Sequence, residues 1–342
     1  MAYINDKSLV FTDVTDFNLT HIFECGQAFR WEPLEIQEDG IVCYSGIADK
    51  HPAIIRFIPT KDERRGRLYI HIPDNIMSGK PEERSFWEHY LDLKRDYAKI
   101  KECLSKNDHI MRTAISFGEG IRILNQDPWE TLISFIISQN NHIPRIKTCV
   151  EALCAEFGEP VGGDAMKSQD NGVTSGVNPA SIAAQTAPGI DNRVVMSENG
   201  TKLKKYAFPR IETLASLKVT DLGNCRLGYR AEYIVEAARR VLDAGGANYL
   251  NSLRDMSFDK AEKELLAIKG VGPKVAACVL LFGLGHFEGF PIDVWIRKAM
   301  NELYGTDMGG SNAQAYALKR FGAYAGLAQQ YLFYYMRNKA GR

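Results

Sequence analysis

Near residue 83 the hydrophobic pattern of the chain changes period, and no single-class fold accommodates both halves. Upstream lie three β-rich runs, GIVCYSG (40–46), AIIRFIPT (53–60) and GRLYIHIP (66–73), separated by charged or glycine-containing turns. The large residues of LYIHI alternate, as a strand with one buried face requires, so an antiparallel sheet is expected there. From Glu83 onward, SFWEHYLDL and YAKIKECL space apolar residues three and four apart, the period of a helix with one buried stripe. The sharpest helix start is QDPWETLISFII, with Asp127 as cap, Pro128 in the first turn and Glu130 three residues after the cap. SQNNHIPRIKTCVEALC follows, a polar tip and then a helix opened by Pro144. Helical patterning returns in PRIETLASL and YRAEYIVEAARRVLDAGG and runs on to AQQYLFYYMRNKAGR. The expected fold is therefore α+β, an N-terminal antiparallel-sheet domain over 1–110 and a mostly α-helical domain over 111–342. Residues 158–204 are rich in Gly, Ser, Asn, Ala and Gln without sustained period, and are expected to form a disordered insertion.

Charge narrows the function classes only weakly. The chain holds 42 basic and 42 acidic residues, a balance that speaks against an obvious polyanion binder. The distribution is uneven, with 13 basic against 17 acidic residues in 1–100 and 10 against 6 in 261–342. The basic end leaves room for a polyanion partner. Seven cysteines, Cys25, Cys43, Cys103, Cys149, Cys154, Cys225 and Cys278, are scattered with no C-x-x-C pair. They read as reduced thiols, with no disulfide framework, zinc site or iron–sulfur cluster. The opening MAYINDKSLVFTD carries no secretion signal, and no apolar stretch approaches membrane-spanning length.

Chemistry concentrates in ELLAIKGVGPKVAACVLLFGL, which reads as helix, glycine hairpin and second helix. Gly270 and Gly272 permit positive backbone dihedrals, so the chain can turn sharply and aim successive amides outward. Such a turn at a helix start can hold a phosphate, or can simply connect two packed helices. Lys274 stands in the first turn of the second helix, where its charge opposes the helix dipole. It can be a phosphate contact, a solvated charge, or an amine whose pKa is lowered enough to act as a nucleophile that forms a Schiff base. Nineteen residues on, FPIDVWIRKA places Asp293 as a helix cap and as a carboxylate facing the same cleft.

In that order, GVGPK and then PIDV resemble the helix-hairpin-helix glycosylases with a Gly-Pro-Asp-type loop, and Lys274 resembles the lysine of the bifunctional members. CGQAFRW (25–31), SQNNHIPRI (138–146) and LGYRAEY (227–233) narrow the resemblance to the eukaryotic-type 8-oxoguanine DNA glycosylases. YLDLKRDY (90–97), ILNQDPWE (123–130) and YAGLAQQYLF (324–333) fit the same family, and the matches span nearly the whole chain outside 158–204. The resemblance implies a TATA-binding-protein-like sheet domain and a helix-hairpin-helix glycosylase domain. It implies excision of 8-oxoguanine opposite cytosine in base excision repair, with an associated abasic-site lyase. Base chemistry of this kind takes the nucleotide out of the duplex.

Residue by residue, the resemblance casts Lys274 as the nucleophile at the sugar C1′ and Asp293 as the group that stabilises the cationic sugar and assists proton transfer. The Gly26 carbonyl would accept from the N7 hydrogen that distinguishes 8-oxoguanine from guanine. Gln329 would pair with the Watson–Crick edge, and Cys278 and Phe333 would sandwich the ring. Asn140 would fill the vacated place in the stack with Tyr229 as a wedge, while Arg145 and Arg230 would donate to the orphaned cytosine. Gly270, Val271 and Gly272 would hold a DNA phosphate. The same residues also have plain readings: a polar helix tip, surface arginines, and a buried Cys and Phe in a core.

Three positions depart from the family pattern. His142 and Pro144 replace an asparagine and a small residue, and Trp295 stands where human-like members have a histidine near the phosphate backbone. No metal or redox cofactor is implied. The expected partner is double-stranded DNA containing 8-oxoguanine opposite cytosine, with no membrane, bound by a monomer in the nucleoid of a bacterium or the nucleus of a eukaryote. Two rivals remain at this stage, a glycosylase for alkylated purines and a non-enzymatic helix-hairpin-helix DNA-binding module.

Overall fold

The computed structural model describes residues 8–34, 41–60, 65–72, 81–161, 194–196, 202–204, 206–306 and 313–339. The first third forms the antiparallel sheet. Its strands are β1 (Leu9–Thr15), β2 (Trp31–Pro33), β3 (Cys43–Ala48), β4 (His51–Pro59) and β5 (Arg65–His71), in the order β1-β5-β4-β3-β2. Register follows the hydrophobic pattern: Ile55 of β4 faces Tyr44 on one side and Ile70 on the other, so large apolar residues form one row across three strands. The alternation in β5 buries Gly66, Leu68 and Ile70 in turn.

Two strands lie where the sequence reading expected none. β2 has three residues, too few to show a period. β1 buries Phe11 and Val14, three apart, because its pairing with β5 shifts register between those residues and Asp13 takes a positive φ of 56°. A bulge of this kind inserts a residue and erases strict alternation.

The covering helices of the sheet are α1 (Leu19–Glu24) and α2 (Pro81–Tyr90). They close a core of Phe11, Ile22, Phe23, Trp31, Ile55, Leu68, Ile70 and Trp87. Phe23 stacks on Trp31 at 4.4 Å, and the Trp31 indole donates to the Tyr90 hydroxyl at 2.8 Å, so this ring is both packed and satisfied, whereas the buried Trp87 indole N–H has no partner among the described residues.

The remaining helices are α3 (Tyr97–Ser105), α4 (His109–Phe117), α5 (Pro128–Ile137), α6 (Ile143–Phe157), α7 (Ile211–Ser216), α8 (Arg230–Asp243), α9 (Ala247–Ser252), α10 (Phe258–Leu266), α11 (Pro273–Phe282), α12 (Val294–Tyr304), α13 (Ala313–Phe321) and α14 (Ala325–Lys339). They share a second core centred on α5 and α11. α3 lies within the expected 1–110 unit but packs Tyr97, Ile100 and Leu104 into this helical core. None of the described helices is long and apolar enough to cross a membrane.

α5 corrects one detail of the capping expectation. Asp127 does accept from the Glu130 amide at 2.8 Å, as a cap should. The Glu130 carboxyl does not reach back to close a box. It is buried with its Oε2 unpartnered, and burial, reinforced by Asp127, Asp49 and Glu151, pushes its pKa up to about 8 against the pull of Arg30. The expected disordered insertion is also corrected in part. Val194–Met196 (β6) and Lys202–Lys204 (β7) pair antiparallel, while residues 162–193 and 197–201 of that expectation lie outside the described residues.

Two buried arginines join sheet and helices. Arg122 donates to the carbonyls of Asp92 at 2.6 Å, Thr15 at 2.6 Å and Asp16 at 3.0 Å. Arg30, just before β2, pairs with Glu151 of α6 at 3.0 Å. A guanidinium suits such a joint because its donors fan out in fixed directions and it keeps its charge when buried.

Candidate active site

The glycine hairpin between α10 and α11 carries Lys274 on the first turn of α11. Gly270 has a φ of +85°, and a Cβ built there would lie 2.5 Å from Cγ of Tyr233, so this position needs glycine twice over. Gly272 differs from expectation. Its φ is −96° and it serves as the N-cap of α11, an extended conformation that most residues adopt. Val271 is a second correction, because its amide donates to the Ile268 carbonyl at 3.0 Å and closes the turn. That leaves the amides of Gly270 and Gly272, without acceptors among the described residues, as the outward donors of the hairpin.

Lys274 reaches across to the end of α5. Its Nζ donates to the Ser138 hydroxyl at 2.9 Å and stands 4.8 Å from the centroid of the Phe135 ring. Ser138 is the C-cap of α5, and the sequence reading quoted it without giving it a role. Asp293 is the N-cap of α12, where Oδ1 accepts from the amides of Trp295 at 3.0 Å and Ile296 at 2.8 Å. Among the described residues Oδ2 has no partner. Burial raises the Asp293 pKa above the usual carboxylate value, opposed by those two amides and by the Lys274 charge. Cys278, one turn after Lys274, is 2% exposed, and burial pushes its thiol up to about 11. Both Lys274 and Asp293 act electrostatically on Cys278, so the three form one cluster with a basic amine, a half-satisfied carboxylate and an apolar wall.

A second group forms around Gly26, which follows α1 with a φ of +81°. A Cβ there would lie 3.2 Å from Ile143 and 3.3 Å from Phe333, so bare backbone fills the gap between α6 and α14. The sequence reading missed the residues that hold this corner. Gln27, buried, donates to the carbonyls of Ile22 at 2.9 Å and Arg122 at 2.8 Å and accepts from the Leu124 amide at 2.9 Å. Gln126 donates to the Gln27 carbonyl, and Gln330 of α14 donates to the Cys25 carbonyl at 2.7 Å. The carbonyl of Gly26 itself meets no donor among the described residues. Gln329, on α14 one turn before Phe333, is 4% exposed with its Oε1 unpartnered. Glutamines set inside otherwise apolar motifs, as in CGQAFRW and YAGLAQQYLF, were the signal available in the sequence, since an amide retained inside a core needs partners.

The third group is the tip between α5 and α6. Asn140 takes a left-handed φ of 47° and donates to the Tyr229 hydroxyl at 3.3 Å, and Tyr229 is 50% exposed. Both residues are exposed and touch each other at this tip. Arg230, which the resemblance casts as a donor to the orphaned cytosine, packs against this tip. It is 6% exposed, and its guanidinium donates to the carbonyls of Gln139 at 2.8 Å, Asn140 at 3.1 Å and Leu227 at 3.3 Å. Its donors therefore brace the loop and do not project from it. Arg145 stays exposed, with no partner for its side chain among the described residues. His142, which departs from the family pattern, is the N-cap of α6, with Nδ1 accepting from the Arg145 amide at 3.4 Å. Gln139 links this tip to the hairpin by donating to the Gly270 carbonyl at 2.9 Å. Trp295 sits near Lys298, whose Nζ is 5.9 Å from the indole.

An amine and a carboxylate that both act on one buried thiol, and an exposed polar tip tied to a glycine turn, suit displacement at a sugar carbon in an opened duplex. Among the described residues no group of three or more His, Cys, Asp or Glu is placed to hold a metal ion.

Residues 9–132 match the family model described as 8-oxoguanine DNA glycosylase, N-terminal domain, and residues 133–320 match that of HhH-GPD superfamily base excision DNA repair protein. The N-glycosylase/DNA lyase of Saccharomyces cerevisiae is 32% identical over 315 residues, covering 84% of this chain and 68% of that protein. MBOgg1, solved in complex with a low-affinity DNA ligand, is 35% identical over 98% of both chains with a TM-score of 0.76. The Clostridium acetobutylicum 8-oxoguanine glycosylase/lyase, solved with double-stranded DNA containing cytosine opposite 8-oxoguanine, is 32% identical over 98% of this chain and 97% of that one, with a TM-score of 0.75.

Proposed function

This chain belongs to the 8-oxoguanine DNA glycosylases of the HhH-GPD base excision repair superfamily, and from that membership we propose how its residues carry out the excision and on which duplex. The glycosylase and lyase activities come with the family. The proposed substrate is 8-oxoguanine opposite cytosine, the duplex present in the Clostridium complex.

Lys274 Nζ attacks C1′ of the extruded nucleotide, the N-glycosidic bond breaks, and the base leaves with a proton. The nitrogen lone pair then expels O4′, which takes up a proton, so the sugar opens to a protonated imine, and abstraction of a C2′ proton expels the 3′ phosphate by β-elimination. Asp293 suits both demands. Its unpartnered Oδ2 offers negative charge to the cationic sugar, and its raised pKa makes it a better proton acceptor than an exposed aspartate. The observation that carries the reading is the Lys274–Ser138 hydrogen bond, which fixes the amine against the end of α5 while its charge acts with Asp293 on Cys278. We retain the division into 1–110 and 111–342 as our reading of the domains, with Arg145, Asn140 and Tyr229 on the opposite-base side and Gly26, Gln329, Phe333 and Cys278 around the damaged base. Arg230 serves the same side indirectly, by bracing the tip.

Borohydride trapping on a duplex with one 8-oxoguanine opposite cytosine tests the mechanism. The native protein should form a covalent adduct, and Lys274→Gln should form none while still binding the lesion duplex. Trapping that persists in Lys274→Gln would assign the imine to another amine.

A further inference from the structure

One face of α14 carries two buried polar atoms that the chain leaves unmatched. The Oε1 of Gln329 and the Nη1 of Arg337 each lack a hydrogen-bond partner. Phe333 lies midway between them, and the four-residue steps put all three on one side of the helix. Arg337 is fixed in place, since its Nη2 donates to the Glu24 carbonyl and its guanidinium lies 5.4 Å from the centroid of the Phe333 ring. Its Nη1 stands 3.6 Å from the point where a Cβ on Gly26 would be. The sequence reading gave Arg337 no role.

A guanidinium nitrogen can only donate, and a buried charged donor left unmet is more costly than a neutral one. Native proteins retain few such atoms without a use. The face thus offers an acceptor at one end, an aromatic plane in the middle and a cationic donor at the other, beside bare backbone. Its complement is a flat heterocycle that stacks on Phe333, donates from one edge and presents a carbonyl oxygen to the other. An oxidised guanine has N–H donors at N1 and N7 and carbonyl oxygens on either side of N7. We propose that Arg337 is a specificity-determining residue that donates its Nη1 hydrogen to a carbonyl oxygen flanking N7 of the extruded base. This rests on the function proposed above.

The test is a cycle between protein and substrate, read by single-turnover base excision. The native enzyme and Arg337→Met, which keeps a long apolar side chain against Phe333, are compared on duplexes carrying 8-oxoguanine or its analogues with sulfur at position 6 or position 8. Arg337→Met should slow excision of 8-oxoguanine by about ten- to a hundredfold and lower the ratio of excision to cleavage at a preformed abasic site by a similar factor. In the native enzyme, sulfur at one of the two positions should cost about tenfold or more, because sulfur is the poorer acceptor. In Arg337→Met the same replacement should cost less than about twofold, since the donor it would weaken is gone. Equal sulfur penalties in both proteins at both positions would mean that Arg337 only anchors the Glu24 carbonyl, and would overturn the proposal. Failure of the native enzyme to excise 8-oxoguanine at all would sink the proposed substrate, whereas normal native excision with a non-interacting cycle would sink the arginine assignment alone. Should Arg337→Met fail to fold, Arg337→Lys, which keeps the cation but not the forked donor, takes its place in the same cycle.

Discussion

At the scale of single residues, Asp293 divides its two oxygens between two tasks. Oδ1 caps α12, and in the mechanism proposed above Oδ2 faces the cationic sugar. Asn retains a capping oxygen, so Asp293→Asn should keep the helix while removing the charge. Burial raises this pKa, so ionisation is less favourable in the folded state than in the unfolded chain, and the charge costs stability at pH above the unfolded value. The expected outcome is a Tm at pH 7.5 equal to or above that of the native protein, with base excision reduced by about a hundredfold or more. A large drop in Tm would instead make Asp293 chiefly a structural cap. Ser138→Ala removes the hydroxyl that orients Lys274, and should lower single-turnover excision about three- to tenfold without changing affinity for the lesion duplex. Lys274 and Asp293 stood out in the sequence because a lysine opening an apolar helix after a glycine hairpin, and an aspartate capping a later one, are visible as residue types in a motif order. Ser138 was not, since a serine at a helix end reads as any other polar tip until the lysine is seen to reach it.

At the scale of elements, the tip between α5 and α6 is a braced loop. Arg230 of α8 ties its carbonyls from below, and Gln139 ties it to the hairpin before α11. Arg230→Ala would strand those buried carbonyls and should cost about 1–3 kcal/mol of stability, seen as a lowered midpoint in urea unfolding. Arg145→Ala should leave that midpoint unchanged and relax the preference for cytosine opposite the lesion. If the two variants behaved alike, the division between brace and reader would be wrong. The sequence located Arg230 but not its burial, because YRAEYIVEAARR shows which residues share a face without showing what that face meets. Helices were legible where caps and period agreed, as at Asp127 and Pro128. The bulged β1 and the three-residue strands β2, β6 and β7 were not, because a period needs more repeats than these elements contain or a bulge had broken it.

At the scale of the whole molecule, sheet and helices meet through polar groups buried at their seam, and one of these makes stability depend on pH. Glu130 has a folded pKa near 8, above its value in the unfolded chain, so the folded state binds the extra proton between about pH 4.5 and 8. Stability contributed by that protonated form is present at low pH and lost as pH rises through 8. Glu130→Gln mimics the protonated form, and should flatten the fall in Tm between pH 5 and 8.5 and add roughly 2–4 kcal/mol at the alkaline end. An unchanged slope would assign the pH dependence to another group. The broad architecture was legible because the change of period at residue 83 is a property of long stretches. The seam was not, since Arg30, Glu130 and Glu151 look like ordinary surface charges until the chain is folded.

Gln330 holds the carbonyl of a residue 305 positions earlier, and Arg337 holds one 313 positions earlier. During synthesis the glycine hairpin, the lysine and the aspartate therefore emerge from the ribosome while the Gly26 corner still awaits its opposite wall. The wall facing Gly26 is completed by a helix translated after the hairpin, so a chain stalled before α14 lacks the Gln330 and Arg337 braces of that corner.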